Sequence, residues 1–254
     1  MNAPVPRDYT RFYVGTTHVV AHESCVPWTK QVLETETLYE WASRHPERIE
    51  LQGRQPVYSV PLPDRSERVV VRRSRHGGLL GPLRGDLFFP PTRAPYELLV
   101  SHLLTGAGIR TPPVVAIAVY RAGVLLRRSD VATVELPGRD LGTALLDGPD
   151  DDVRREWMRA VASLIKTLSN VGAWHPDLNL RNVLLVEDGR GSVDAFLLDV
   201  DRLQFAAPGD PHVREANLGR LERSLRKLRS RYGIRFPDEE LRALREMAAD
   251  PLAL

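Results

Sequence analysis

The sequence predicts an α+β chain in two lobes, a β-rich first lobe holding one helix and a mainly helical second lobe. Three observations lead there. Between about 50 and 136, short β-branched runs recur between turn residues, with one helical stretch among them. Leu136-Pro-Gly138 then breaks the pattern. Beyond it Val153, Trp157, Val161, Leu164, Ile165 and Leu168 repeat at the 3.6-residue spacing of a buried helix face.

Residues 1–45 are mixed and read as an N-terminal extension of unassigned role, with a helix over Lys30–Ser43 carried by Val32, Leu33, Leu38 and Trp41. In the first lobe, 46–136, Val57–Val60 and Val69–Arg73 are β-rich runs separated by Pro61-Leu-Pro63. A helix follows over Ala94–Thr105, with Thr92 as its cap, Gly106 and Gly108 at its end, and Leu98, Leu99, Leu103 and Leu104 on one face. Val114–Tyr120, Val124–Arg127 and Val131–Glu135 form a strand meander. In the second lobe, 137–254, Asp150–Asp152 supply the acidic start of the long helix. Asn182–Glu187 and Asp194–Asp199 read as strands joined by a turn at Asp188-Gly-Arg-Gly-Ser192. Leu218, Leu221, Leu225 and Leu228 make an apolar seam within 217–231, and Pro237-Asp-Glu-Glu opens a last helix reaching Met247.

Composition narrows the function classes. A chain of 254 residues with 43% hydrophobic and 27% charged residues can bury an ordinary globular core. No apolar run approaches the roughly 20 residues that span a bilayer, and Met1–Thr10 has no apolar signal-peptide core. The lone Cys25 cannot make an internal disulfide, which fits a reducing, cytoplasmic setting. The net charge is only +2, but arginines cluster at Arg65, Arg68, Arg72, Arg73 and Arg75, and again from Arg214 to Arg231. The second cluster decorates the outer face of an amphipathic helix. A packed surface helix explains it, and contact with an anionic partner such as an inner-membrane surface is left open. No aromatic-interleaved platform accompanies the basic residues, so no nucleic acid is expected.

The chemistry concentrates in His175-Pro-Asp177-Leu-Asn179-Leu-Arg-Asn182 and in Leu-Leu-Asp199-Val-Asp201. Phosphoryl transfer from ATP needs a carboxylate beside the acceptor hydroxyl, and an amide oxygen with a second carboxylate on Mg²⁺. Asp177 fits the first role, Asn182 and Asp199 the others, and His175 is a second catalytic candidate that braces the loop, with the general-base role ranked behind Asp177. The predicted hairpin brings Asn182 and Asp199 together. A short pattern of this kind also describes a loop with an Asx turn, but the hairpin and the terminal Asp favour the enzyme. The α- and β-phosphates need a positive group. Arg72, at the end of Val70-Val71-Arg72, supplies it, with Glu97 one turn into the helix as its ion-pair partner. Gly53 marks the place of a phosphate-covering loop, with a single glycine. Asn179 stands where kinases acting on Ser or Thr carry lysine, which points to a sugar or another small hydroxyl acceptor. The order of these parts is that of a bilobal protein-kinase-like fold.

Together the residues resemble the bacterial lipopolysaccharide core kinases, and among them the 3-deoxy-D-manno-octulosonic acid (Kdo) kinases. Val71-Arg72-Arg-Ser-Arg75-His76-Gly-Gly78 looks like that family's strand end and R-R-G-G loop, in which the strand-end residue is already arginine. His175–Leu185 matches its H-x-D-L-N-x-x-N-I-L-L loop, Asp199-Val-Asp201 its D-x-D ending, and Asn217–Leu228 its N-L-x-R-L-x-R-S-L-x-K-L run. Glu135-Leu-Pro-Gly138 resembles its hinge segment, which implies a nucleotide contact at Glu135. The resemblance spans roughly 50–232. It implies an ATP- and Mg²⁺-dependent kinase whose acceptor is Kdo of the lipid A inner core, with Arg75 and His76 in a loop near that acceptor. His76 departs from the family's arginine, and Ser74 from its aromatic. A kinase for another sugar or an aminoglycoside-type molecule, and a non-catalytic kinase-like binding module, are the alternatives.

Overall fold

The computed structural model describes residues 5–51, 56–63, 65–75, 85–189 and 191–249. Two units divide the chain: residues up to 102 with 112–135, and residues 103–111 with everything from 136 on.

The first unit is built on one antiparallel sheet. In chain order its strands are β1 (Tyr9–Val14), β2 (Thr17–His22), β3 (Ile49–Leu51), β4 (Val57–Pro61), β5 (Arg68–Arg73), β6 (Val114–Ala122) and β7 (Leu126–Val134). In space the order is β1-β2-β6-β7-β5-β4-β3. Alternation along the strands buries both faces. Val19, Ala21, Val69, Val71, Ala116 and Ala118 pack against Trp28, Val32, Leu38 and Ala42 of helices α1 (Val26–Leu33) and α2 (Leu38–Arg44). The residues between them, Val20, Ile117 and Val131, pack against Ala94 and Leu98 of α3 (Ala94–Gly106).

Several expectations change here. Residues 5–45 are not an appendage: β1 and β2 complete the sheet, and α1 and α2 cover one of its faces, so this part holds two α-helices instead of one. The single helix expected over 30–43 is split at Thr37. There a capping box forms, with the Thr37 hydroxyl accepting from the Glu40 amide at 3.1 Å and the Glu40 carboxylate accepting from the Thr37 amide at 3.1 Å. Val124–Arg127 is not a separate strand, because Gly123-Val124-Leu125 is the turn that joins β6 to β7. On α3, Leu103 is exposed and Glu97 buried. Among the described residues Thr92 Oγ1 has no hydrogen-bond partner, so it does not act as the expected cap.

The second unit carries a small sheet, β8 (Gly138–Asp140), β10 (Val183–Glu187) and β11 (Val193–Leu197), in the order β11-β10-β8, and a two-stranded piece, β9 (Ala173–Trp174) with β12 (Gln204–Phe205). Gly138 is required, since a Cβ there would collide with the Leu185 carbonyl that pairs across the ladder. The helices are α4 (Leu141–Leu146), α5 (Asp151–Asn170), α6 (Pro211–Tyr232) and α7 (Asp238–Ala249). Asp150 caps α5, accepting from the amides of Asp152 and Val153. The buried face of α5 holds Trp157, Val161, Leu164, Ile165 and Leu168 as expected. Val153 is exposed, and Arg154 is buried beside it through a bidentate pair with Glu240 of α7 at 2.6 and 2.7 Å. Among the described residues no helix is long and apolar enough to cross a membrane.

Candidate active site

The loop between β9 and β10 is held by polar contacts that the sequence only hints at. His175 is fully buried. Its Nδ1 accepts the Asp177 amide at 3.2 Å, which leaves the proton on Nε2, 3.3 Å from the Leu198 carbonyl. Burial holds this imidazole below its ordinary value, against the opposing pull of the Leu198 carbonyl and of Asp199, Asp177 and Asp201. With both nitrogens engaged and no access to solvent, it braces the loop and is not placed to exchange protons with a substrate.

Asp177 is gripped by its backbone. Its carbonyl accepts from Asn179 Nδ2 at 2.8 Å and from Asn182 Nδ2 at 2.9 Å. Its carboxylate takes no hydrogen bond from any described residue. Asn179 also accepts the Arg181 amide at 2.9 Å, capping the short 3-10 turn Leu180–Asn182. Both ends of its amide are therefore spent on the loop, and the side chain does not reach out to an acceptor. Asn182 has its Nδ2 committed in the same way, so the atom it can offer a cation is Oδ1.

The β10–β11 hairpin sets the remaining carboxylate. Val183 pairs with Leu197, and the Leu198 amide donates to the Asn182 carbonyl at 2.9 Å, so Asn182 and Asp199 flank the same end of the ladder. Asp199 sits at φ 57°, ψ 49°, a left-handed conformation found at no other non-glycine among the described residues. A Cβ-bearing residue there costs about 1–3 kcal/mol, a strain typical of functional sites. No cluster of three or more His, Cys, Asp or Glu side chains suited to a metal occurs among the described residues. The donor set fits Mg²⁺ nonetheless, because Mg²⁺ bound with phosphates takes one or two carboxylates and keeps its remaining positions for phosphate and water.

In the first unit, Arg72 of β5 makes an ion pair with Glu97 of α3, whose side chain is buried. Glu135 is engaged as well: its carboxylate accepts from Ser59 Oγ at 2.5 Å and from Arg68 Nε at 3.1 Å, and its amide donates to the Arg68 carbonyl at 2.9 Å. A nucleotide contact through that side chain would displace these partners. Arg75 is exposed just beyond β5. Gly53 and His76 lie outside the described residues.

Two supports stand in stretches that the sequence singles out without giving them a role. Asn217 on α6 is fully buried; its Oδ1 accepts the His175 amide at 3.1 Å and its Nδ2 donates to the Ala173 carbonyl at 3.0 Å. Its place at the head of the Asn217–Leu228 run, on the Val213–Leu218–Leu221 face, was the available signal. Ser224, two turns on, accepts the Leu180 amide at 3.3 Å. The other support is Arg73, which meets buried Asp130 at 3.0 Å, donates to Thr37 at 3.0 Å and stacks 4.7 Å from the Tyr39 ring centre, tying α2 to the sheet. Most of the first arginine cluster is thus paired within the fold: Arg68, Arg72 and Arg73 all have carboxylate partners. In the second, Arg226 pairs with Glu222 and Arg229 with Asp238. A separate cavity of about 240 Å³, lined by Arg110, Ser163, Thr167 and Asp194 among others, includes none of the loop residues 175–182.

A family model described as "Lipopolysaccharide kinase (Kdo/WaaP) family" matches residues 41–247. A 3-deoxy-D-manno-octulosonic acid kinase of Vibrio cholerae is 29% identical over 171 residues, 65% of this chain and 68% of the relative. One from Actinobacillus succinogenes is 31% identical over 179 residues, 68% of this chain and 72% of the relative. Among solved structures, a WaaP in complex with acyl carrier protein superposes with a TM-score of 0.58 at 18% identity, covering 92% of this chain and 90% of that one.

Proposed function

The chain belongs to the lipopolysaccharide kinase (Kdo/WaaP) family, and from that premise we propose that it moves the γ-phosphate of ATP onto a hydroxyl of Kdo in the lipid A inner core. Membership makes it an ATP-dependent phosphotransferase acting on a sugar hydroxyl. The identity of the sugar and the roles of individual residues belong to the proposal. The observation that carries it is the presentation of Asp177. Its backbone is clamped by His175, Asn179 and Asn182 while its carboxylate meets no described donor.

Asp177 would accept the proton of the sugar hydroxyl as the new O–P bond forms at the γ-phosphorus and the bond to the β–γ bridging oxygen breaks, releasing ADP. Asn182 Oδ1 and the Asp199 carboxylate would hold Mg²⁺, which when bound neutralises charge on the phosphates. Arg72, fixed by Glu97, would meet the α- and β-phosphates as a planar donor that lysine cannot imitate. His175, Asn179 and Asn217 act through the loop, as positioning residues.

The test is ADP release with a purified Kdo-containing lipid A precursor, with mass analysis of the acceptor. Asp177→Asn is expected to lower turnover by roughly 10²–10⁴. Asp199→Asn should abolish dependence on added Mg²⁺ along with turnover. A native chain that releases ADP with this precursor without adding a phosphate to it would exclude Kdo as the acceptor. An Asp177→Asn variant as active as the native chain would remove Asp177 from the chemistry.

A further inference from the structure

We propose that the end of the large sheet that carries the β6–β7 turn docks on an anionic bilayer surface. Val124, Leu125 and Phe89 enter the headgroup–acyl boundary, and Arg121 and Arg127 hold lipid phosphates. The inference extends the proposed reading, since a lipid-embedded acceptor gives such docking its purpose.

Ala122 pairs with Leu126, so the connection is the three residues Gly123-Val124-Leu125, with Gly123 at φ 74°. Turn tips ordinarily carry Gly, Asn, Asp or Ser. Here Val124 is 89% and Leu125 67% exposed, and the turn geometry needs neither aliphatic side chain. Phe88 exchanges both backbone hydrogen bonds with Arg127, each 2.8 Å, which lays residues 88–89 alongside β7 near the tip. The Phe88 side chain is buried, so the alternation of an extended segment turns Phe89 to the other side, where it is 72% exposed. The β1–β2 turn ends at the same edge of the sheet, because His18 of β2 pairs with Val119 of β6, and it brings exposed Tyr13.

The charges complete the pattern. Arg121 and Arg127 lie directly opposite each other in the ladder, an arrangement that costs stability unless an anion sits between them. Among the described residues the Arg127 guanidinium donates only to the carbonyls of Val124 and Leu126, and neither arginine meets a carboxylate. The acids at this end are already taken: Asp130 by Arg73, and Asp86 by Arg73 and Arg128. An aliphatic and aromatic summit within a collar of arginines suits the water–lipid boundary, where apolar groups sink and guanidinium groups stay at phosphate level.

The experiment is co-sedimentation of the full chain with phosphatidylglycerol/phosphatidylethanolamine vesicles and with pure phosphatidylcholine vesicles. Val124→Asp/Leu125→Asp and Arg121→Gln/Arg127→Gln are compared with the native chain, and thermal melting verifies that each double variant folds. All three are also assayed for ADP release on a soluble, deacylated Kdo oligosaccharide. Expected are binding of the native chain to anionic vesicles only, at least about a tenfold loss in each variant, and unchanged turnover on the soluble acceptor. Equal binding to both vesicle types, native-like binding by the variants, no binding at all, or displacement by inorganic phosphate at fixed ionic strength would each overturn the inference. Anionic-vesicle binding lost in the variants, with no turnover on the soluble sugar, would uphold the docking and sink the acceptor.

Discussion

His175 shows how a residue with a catalytic look can serve by holding others. Its imidazole is neutral in the folded chain because burial disfavours the charged form, which puts its folded pKa below 6.5. As pH falls the unfolded chain takes up that proton first, so the stabilisation is complete above about 6.5 and is lost as pH drops through the folded value. Urea midpoints should therefore fall between about pH 7 and about pH 5.5, and His175→Gln should reduce that slope while lowering the midpoint overall. The buried His18 shifts in the same direction, so the variant removes only one share of the slope. An unchanged slope would mean that His175 titrates normally. Asp199 carries the opposite lesson, because it holds a left-handed backbone that glycine would adopt at less cost. The spacing of Asp177, Asn182 and Asp199 foretold that the loop and the hairpin end would lie side by side, because the apolar runs on either side of the turn can only pair as a hairpin. Asn179 was legible as a feature but not in its role, since an amide that bonds its own loop looks the same in sequence as one aimed at a sugar.

Helix α6 joins the site to the body of its unit. Asn217 spends both ends of its amide on β9 and the loop, and Ser224 takes the Leu180 amide. Asn217→Ala leaves a buried amide and a buried carbonyl without partners, a cost of about 1–3 kcal/mol for each group. A drop of about 3 kcal/mol in unfolding free energy is expected from denaturant titration, with loss of turnover in the protein that remains folded. Destabilisation below about 0.5 kcal/mol would show that water or a shifted backbone replaces the bonds. Period explains what was readable at this scale. The 3.6-residue repeat of α5 and the apolar runs of β10 and β11 declare themselves. The break between α1 and α2 does not, because Thr37 and Glu40 sit inside a run whose apolar spacing continues through the cap. Nor does the burial of Arg73 with Asp130, since a strand-end arginine gives no sign that a carboxylate distant in sequence faces it.

At the scale of the whole chain, the first residues are the least expected part. Val19, Val20, Trp28 and Val32 are all buried, and each is worth ~1.5–3 kcal/mol on burial. Their sum approaches the ~5–15 kcal/mol that holds a domain together. Removing residues 5–33 should abolish cooperative thermal unfolding as followed by circular dichroism, and a sharp transition in the truncated chain would show that the sheet stands without β1 and β2. The sequence hid this because the strands in question carry Thr, His and Tyr among their apolar residues, and their pairing partner lies far along the chain. That distance has a consequence for synthesis. β2 leaves the ribosome early, but the strand it must join, β6, ends only at Ala122. Until then the Val19–Ala21 segment has no ladder beyond its own hairpin, and a long loop must close before that contact can form. The nascent chain thus carries an open, apolar strand edge through roughly a hundred residues of elongation, which makes this segment the natural target of a holding chaperone and the first place where overproduction would drive aggregation.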